Sequence, residues 1–200
     1  MLRENRIHSE FWFPQQIIIS DDSNFKKVKN KFLTYCKGEY KKDVKGKDKS
    51  NCLGWQSGNL PSNGFVYEYI KQGMESCLRS QINFKENITF SISNYWVNIS
   101  PKYASNDYHF HGGSDYSGCL YIQGDKNCGT INLNPHLNCD TSWMDSAKDE
   151  YKKAYNIYPS AQFEAVEGRM ILFPSYVMHK VHPNLSSKER ISIAFNILFH

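Results

Sequence analysis

The chain of 200 residues has no long apolar run, no C-x-x-C pair and no large excess of either charge. Its longest apolar stretch near the start, residues 17–19, is far shorter than the ~20 residues a membrane-spanning helix needs. The opening MLRENRIHSE is polar and charged and lacks the apolar segment of a secretory signal. Six cysteines (Cys36, Cys52, Cys77, Cys119, Cys128 and Cys139) are scattered without the close pairing of a zinc or dithiol motif. The expectation is therefore reduced thiols in a cytoplasmic setting, with no membrane partner. On that reading, the glycosylation-type matches at Asn87, Asn98 and Asn184 carry no weight. Internal repeats and low-complexity tails are absent too.

Charge excludes little. The net +4 comes from 24 Lys and Arg against 20 Asp and Glu, and much of the excess sits in residues 37–49, KGEYKKDVKGKDK. Such a run reads as a solvated loop, and without interleaved aromatics a nucleic-acid contact is not expected.

What is present favours β structure. Two hundred residues suit one domain, since domains run to ~100–200 residues, and roughly 70% of the unfolded surface is buried at this size. Thirteen Tyr, twelve Phe and many Ser, Asn and Ile suit strands and turns. Residues 11–20 read as a strand interrupted at Pro14, and residues 21–23 (DDS) cap a helix over 24–35. A second helix over 64–81 carries Phe65, Tyr69, Met74, Cys77 and Leu78 as one stripe for packing on a sheet. From residue 88 short apolar or alternating runs follow at 88–99, 117–122, 130–133, 161–164, 169–173 and 190–199. Turn-rich gaps separate them, the pattern of a sandwich or barrel with helices on one face. Residues 138–158 are polar and rich in Tyr, a long loop with some helix over 146–155, of the kind that forms lids. The organisation is a single domain over 1–200, with 1–87 as support and 88–200 as the β core.

The chemistry concentrates in YHFHGGSDYSG, residues 108–118. On a strand, residues two apart share a face, so His109 and His111 project together with Phe110 turned away. Imidazole pairs of this kind hold transition metals, although a solvent-facing edge would show the same spacing. Of the other histidines, His8 and His200 are terminal and His136 follows Pro135 in a loop. His179 and His182 differ by three and face opposite ways in an extended chain, so one of them joins the site. His182, beside Pro183, is the more exposed candidate.

A close pair followed by a distant single histidine is how a double-stranded β-helix builds a facial triad with open positions. Eleven residues after His179, Arg190 opens the strand RISIAFNILF. Alternation places Arg190, Ser192 and Ala194 on one face and Ile191, Ile193 and Phe195 on the other. A guanidinium fork with a neighbouring hydroxyl is a carboxylate site. The plainer alternative, a surface salt bridge to Glu189 or another acid, loses ground with a histidine triad upstream.

Together these residues resemble the 2-oxoglutarate/Fe(II)-dependent oxygenases, and among them a small group of about this length found in bacteria and marine phages. The resemblance rests on residues 50–57 (SNCLGWQS), 95–100 (YWVNIS), 109–122 (HFHGGSDYSGCLYI), 168–184 (GRMILFPSYVMHKVHPN) and 190–196 (RISIAFN). It implies a mainly β, jelly-roll (cupin-like double-stranded β-helix) fold with flanking N-terminal helices. It implies Fe(II), 2-oxoglutarate and O2 as cofactor and cosubstrates, and hydroxylation of a C–H bond with release of succinate and CO2. Localisation would be the host cytoplasm for a phage-encoded chain.

By this resemblance His109 and His179 are iron ligands, Arg190 and Ser192 bind the distal carboxylate of 2-oxoglutarate, and Tyr121 and Asn98 are further cosubstrate contacts. The departure is His111, where most of the superfamily carries Asp or Glu. His111 is assigned as third ligand, with Asp115 as the alternative acid and a vacant third position as the remaining reading. Three neutral imidazoles leave the metal at +2, so the dianionic cosubstrate matters more for charge balance.

Trp55 and Gln56 are read either as packing on the sheet or as the rim of the site. The substrate, whether a peptide, an amino acid, a nucleobase or another small molecule, stays open, as does a homodimer. A cupin-like module that binds metal or ligand without oxidation is the competing function.

Overall fold

Two antiparallel sheets lie face to face in the computed structural model, which describes residues 15–134, 144 and 146–200. The larger sheet runs β1 (Ile18–Asp21), β9 (Arg169–Pro174), β6 (Tyr116–Gln123), β11 (Arg190–Phe199), β4 (Phe90–Ser100) and β3 (Trp55–Gln56). The smaller runs β2 (Asn51–Cys52), β5 (Ser105–His109), β10 (Met178–Val181), β7 (Thr130–Asn134) and β8 (Ala161–Glu164). This is the mainly β jelly roll expected. Strands β8 and β11 have the predicted bounds, and β6, β7 and β9 extend theirs by one residue or two.

Helices α1 (Lys29–Lys42) and α2 (Gly64–Gln81) cover the outer face of the larger sheet. Phe32, Cys36, Ile70, Met74 and Leu78 meet Val97, Leu172, Ile193 and Phe195 in the main core. The predicted stripe of α2 holds at Met74, Cys77 and Leu78, whereas Phe65 lies at the solvent edge with 41% exposure. There it packs on Phe32, ring centroids 5.1 Å apart. A smaller apolar cluster, including Tyr121, Ile131, Leu133, Ile171 and Phe173, fills only one side of the space between the sheets. The other side is a cavity.

Several expectations need correction. The first helix begins later than residue 24: Asp22 Oδ1 accepts from Asn24 N–H, a 3-10 turn covers Phe25–Lys27, and α1 starts at Lys29. It also runs on through Lys37–Lys42, so half of the basic run is helix. Lys41 and Lys42 sit in its last turn, where cations favour the helix dipole. The division at residue 87 is crossed by pairing, since β1, β2 and β3 belong to the sheets. The loop helix α3 (Asp149–Tyr155) is shorter than expected. His8, Pro14, His136, Cys139 and residues 138–143 lie outside the described residues. Among the described residues, five cysteines carry free thiols, and no helix is long and apolar enough to cross a membrane.

Three strands bulge beside the cavity. β4 carries Ser93 as an extra residue opposite β11, β6 carries Ile122, and β5 carries one between Asn106 and His109. An extra residue in a ladder bends the strand and re-aims the side chains that follow it.

Candidate metal and cosubstrate site

His109 ends β5 and pairs directly with His179 on β10. Their rings lie 4.1 Å apart, and His111 is 5.1 Å from each. One nitrogen from each of the three falls within 4.8 Å of the others, the size of a single-ion site. His111 gets there by a route the sequence did not suggest. It lies beyond the end of β5, where its backbone N–H donates to Ser175 O at 2.9 Å. That bond turns the chain after Phe110 back towards β10.

The tautomers suit a metal. His109 Nδ1 donates to Asp107 O at 2.7 Å and His179 Nδ1 to Val177 O at 3.0 Å, which makes both Nε2 atoms the unprotonated ones; that of His109 accepts a long bond from Ser50 Oγ at 3.5 Å. Burial lowers the pKa of all three rings. His179 falls to about 3 and His111 to about 4, with repulsion from His109 adding to each. His109 moves the same way, mainly by burial. The cluster is therefore neutral at pH 7, the form that ligates.

Asp115 does not join the cluster. Its Oδ2 accepts from Phe199 N–H at 2.8 Å, its backbone bonds to Ile197 and Ser175, and it borders a different surface groove with Tyr116 and Pro174. The turn after Gly113 points it at the end of β11 instead of at the histidines. His182 is half-buried and its Nδ1 bonds Thr130 Oγ1 at 2.9 Å.

The imidazoles and Arg190 open onto one cavity of about 590 Å³. β11 is its floor. The in-register partners Gln56, Asn98, Ser192 and Tyr121 form a polar row across β3, β4, β11 and β6, and all four line the cavity. Arg190 lies one step further along, only 2% exposed. Its Nη1 donates to Cys128 O and to His182 O. Gly129, with φ +78°, makes this carbonyl cradle possible, because a Cβ there would stand 2.4 Å from His182 O. Arg190 Nη2 and Asn98 Oδ1 are buried without a partner, and Arg190 forms no ion pair among the described residues. A buried cation without an anion costs several kcal/mol, roughly, unless a ligand supplies one. Burial also pushes the Tyr121 phenol well up, so it stays protonated as a donor.

Sequence reasoning missed Ser50, Asn94, Trp96 and Asn196 as cavity residues. Asn94, Trp96 and Asn98 are spaced by two on β4, and Asn196 continues the Arg190 face, so strand periodicity could have found these; Ser50 precedes β2 and carries no such signal. The two readings of Trp55 and Gln56 divide: Trp55 is buried, with Nε1 donating to Asp43 O at 2.8 Å, and Gln56 lines the cavity.

A family model described as "Putative 2OG-Fe(II) oxygenase" matches residues 94–196, just over half of the chain. The chain belongs to this 2OG-Fe(II) oxygenase family. Fe(II), 2-oxoglutarate and O2 are accordingly its cofactor and cosubstrates, and the buried unpaired guanidinium beside three neutral imidazoles fits that group chemically. Solved structures of similar fold include a prolyl hydroxylase from Trichoplax adhaerens in complex with a hypoxia inducible factor peptide fragment. It is 13% identical, with 91% of this chain and 83% of that one covered and a TM-score of 0.63. The viral collagen prolyl hydroxylase of Paramecium bursaria Chlorella virus-1, as its 2-oxoglutarate complex, is 14% identical over 90% and 95%, with a TM-score of 0.58. HygX from Streptomyces hygroscopicus, with nickel and 2-oxoglutarate bound, is 10% identical over 92% and 82%, TM-score 0.59. At these identities the likeness is one of fold. No curated protein sequence matches the chain.

Proposed function

We propose that this oxygenase is a hydroxylase, in which His109, His111 and His179 hold Fe(II) and Arg190, Ser192, Tyr121 and Asn98 hold 2-oxoglutarate. The observation that carries the assignment is Arg190: a buried guanidinium with an unpartnered Nη2, facing the same cavity as the imidazole cluster. When bound, the iron and cosubstrate supply the oxidising chemistry that the protein's own side chains lack.

The chain's residues bind, orient and exclude. Cys128 O and His182 O fix one arm of the Arg190 fork, leaving Nη2 to donate to a carboxylate oxygen. Ser192 stands between Tyr121 and Asn98 in register, so a carboxylate over β11 meets hydroxyl, phenol and amide donors together. Asn98 reaches this role by turning its amide so that Nδ2 faces the ligand. Asp107 O and Val177 O hold the His109 and His179 rings with Nε2 turned inward. Ile131, Phe173 and Val181 line the cavity with apolar surface that limits water.

The reaction is tested by supplying Fe(II), ascorbate and 2-oxoglutarate in air and measuring succinate. Slow succinate formation, accelerated by the true substrate together with a product 16 Da heavier, is the expected result. No succinate under any condition, with metal still tightly bound, would instead indicate a cupin-like binding module.

A further inference from the structure

Six residues along β11 from Arg190, on the order of 20 Å, the cavity floor changes character. Asn196 is buried there, and Ser117 Oγ donates to its Oδ1 at 2.8 Å. Asn196 Nδ2 donates in turn to Asn94 Oδ1 at 2.9 Å, and Ser93 Oγ adds a second bond to the same oxygen at 3.2 Å. The chain is anchored at its other end, where Ser117 Oγ lies 2.8 Å from Ser175 Oγ. The Ser175 carbonyl is the one that holds His111. This relay occupies the oxygen of the Asn94 amide and turns the NH2 group the other way. Asn94 Nδ2 donates to nothing among the described residues.

Trp96, two residues on and on the same face, lines the same cavity with its ring 5.6 Å from His111. Its indole N–H also has no partner among the described residues. The metal cluster is thus flanked by two kinds of donor set. The Arg190 set lies too far away for one five-carbon dicarboxylate to occupy both.

We propose that Asn94 and Trp96 recognise the substrate, and that the substrate presents them a carbonyl-type oxygen, from a carboxylate or an amide, beside an apolar group that lies on the indole. The inference rests on the proposed function, because it takes the imidazole cluster as the point of oxidation. Fixed N–H donors select strongly, since an analogue without the acceptor leaves them unpaired. The bulge at Ser93 fits this role: it re-aims Asn94 while the relay fixes which way its amide faces.

The test uses the full chain loaded with Zn(II) and 2-oxoglutarate, with 2-oxoglutarate binding measured by calorimetry on the same sample. Side-chain NMR signals of Asn94 Nδ2 and Trp96 Nε1 are then followed against four probes: N-acetyl-leucine, its methylamide counterpart, 3-methylbutanol and 3-methylbutylamine. The expected result is saturable shifts of both signals with one or both carbonyl probes and none with the alcohol or amine. A response to the acid alone assigns a carboxylate substrate, and a response to the methylamide assigns an amide one. Asn94→Asp keeps the oxygen that accepts from Asn196 but replaces the donor with an anion. It should weaken the active probe at least tenfold while leaving 2-oxoglutarate affinity within twofold. Equal shifts with alcohol or amine, no shift with either carbonyl probe, or unchanged probe binding in Asn94→Asp overturn the proposal. Failure of 2-oxoglutarate to bind the loaded protein overturns the functional reading beneath it instead.

Discussion

Ile191, Ile193, Phe195 and Ile197 of β11 are completely buried in the main core, whereas Arg190, Ser192, Ala194 and Asn196, on the opposite face, floor the cavity. Both faces of this central strand are covered by protein, one by helices and the other by a second sheet. Alternation of polar and apolar residues usually marks a strand with one wet face. Here it marks a strand with one face reserved for ligand. The apolar face stabilises the fold by packing, and the polar face leaves hydrogen-bonding capacity unspent.

The comparison predicts opposite effects from the two faces. The largest is on stability: Phe195→Ala should cost about 3–5 kcal/mol in denaturant unfolding, through lost burial and the cavity left behind. The protein that remains folded should bind 2-oxoglutarate normally. On the other face, Arg190→Gln should weaken 2-oxoglutarate by about 2–5 kcal/mol in calorimetry, the usual cost of losing one partner of a buried charge pair. Its ligand-free stability should be unchanged or higher, because a buried unpaired cation is gone. A stability loss comparable to that of Phe195→Ala would erase the distinction between the faces.

A smaller effect concerns the histidines. Their folded pKa values lie below the ordinary 6.5, at about 3 for His179 and about 4 for His111. Between those values and 6.5 the unfolded chain binds more protons than the folded one. Metal-free stability should therefore be fullest above pH 6.5 and decline as pH falls towards 4. Denaturation midpoints across that range, with and without Zn(II), check this; a flat profile would contradict it. The smallest effect is expected at Asp115→Asn, which lies off the cavity and should leave metal affinity within twofold by competitive chelation.

Much of this was legible in the sequence where a residue's role follows from period and spacing. The alternation of RISIAFNILF assigned both faces of β11, and the α2 bounds followed from Gly64 and its apolar stripe. Other features depend on contacts between distant segments. His111 joins the cluster through Ser175, which is 64 residues away and in a different sheet connection, so strand spacing alone does not account for its place beside His109 and His179. The helical Lys37–Lys42 looked like loop because charge dominates it, yet Cys36 and Phe32 anchor that helix in the core. Trp96 lies within YWVNIS and Asn94 just before it, and both acquire meaning only because β4 faces the histidines. The orphaned Nη2 of Arg190, which carries the functional assignment, depends on the cradle that Cys128 and His182 build around it.

The central claim is that the three imidazoles and Arg190 together hold Fe(II) and 2-oxoglutarate. Anaerobic addition of Fe(II) and 2-oxoglutarate to the protein tests it directly, by the weak visible charge-transfer band of the bound pair. The account predicts the band in the parent, its loss in His179→Ala, and a much higher 2-oxoglutarate requirement in Arg190→Gln. Absence of the band in the parent, or an Arg190→Gln titration that overlays it, would contradict the account.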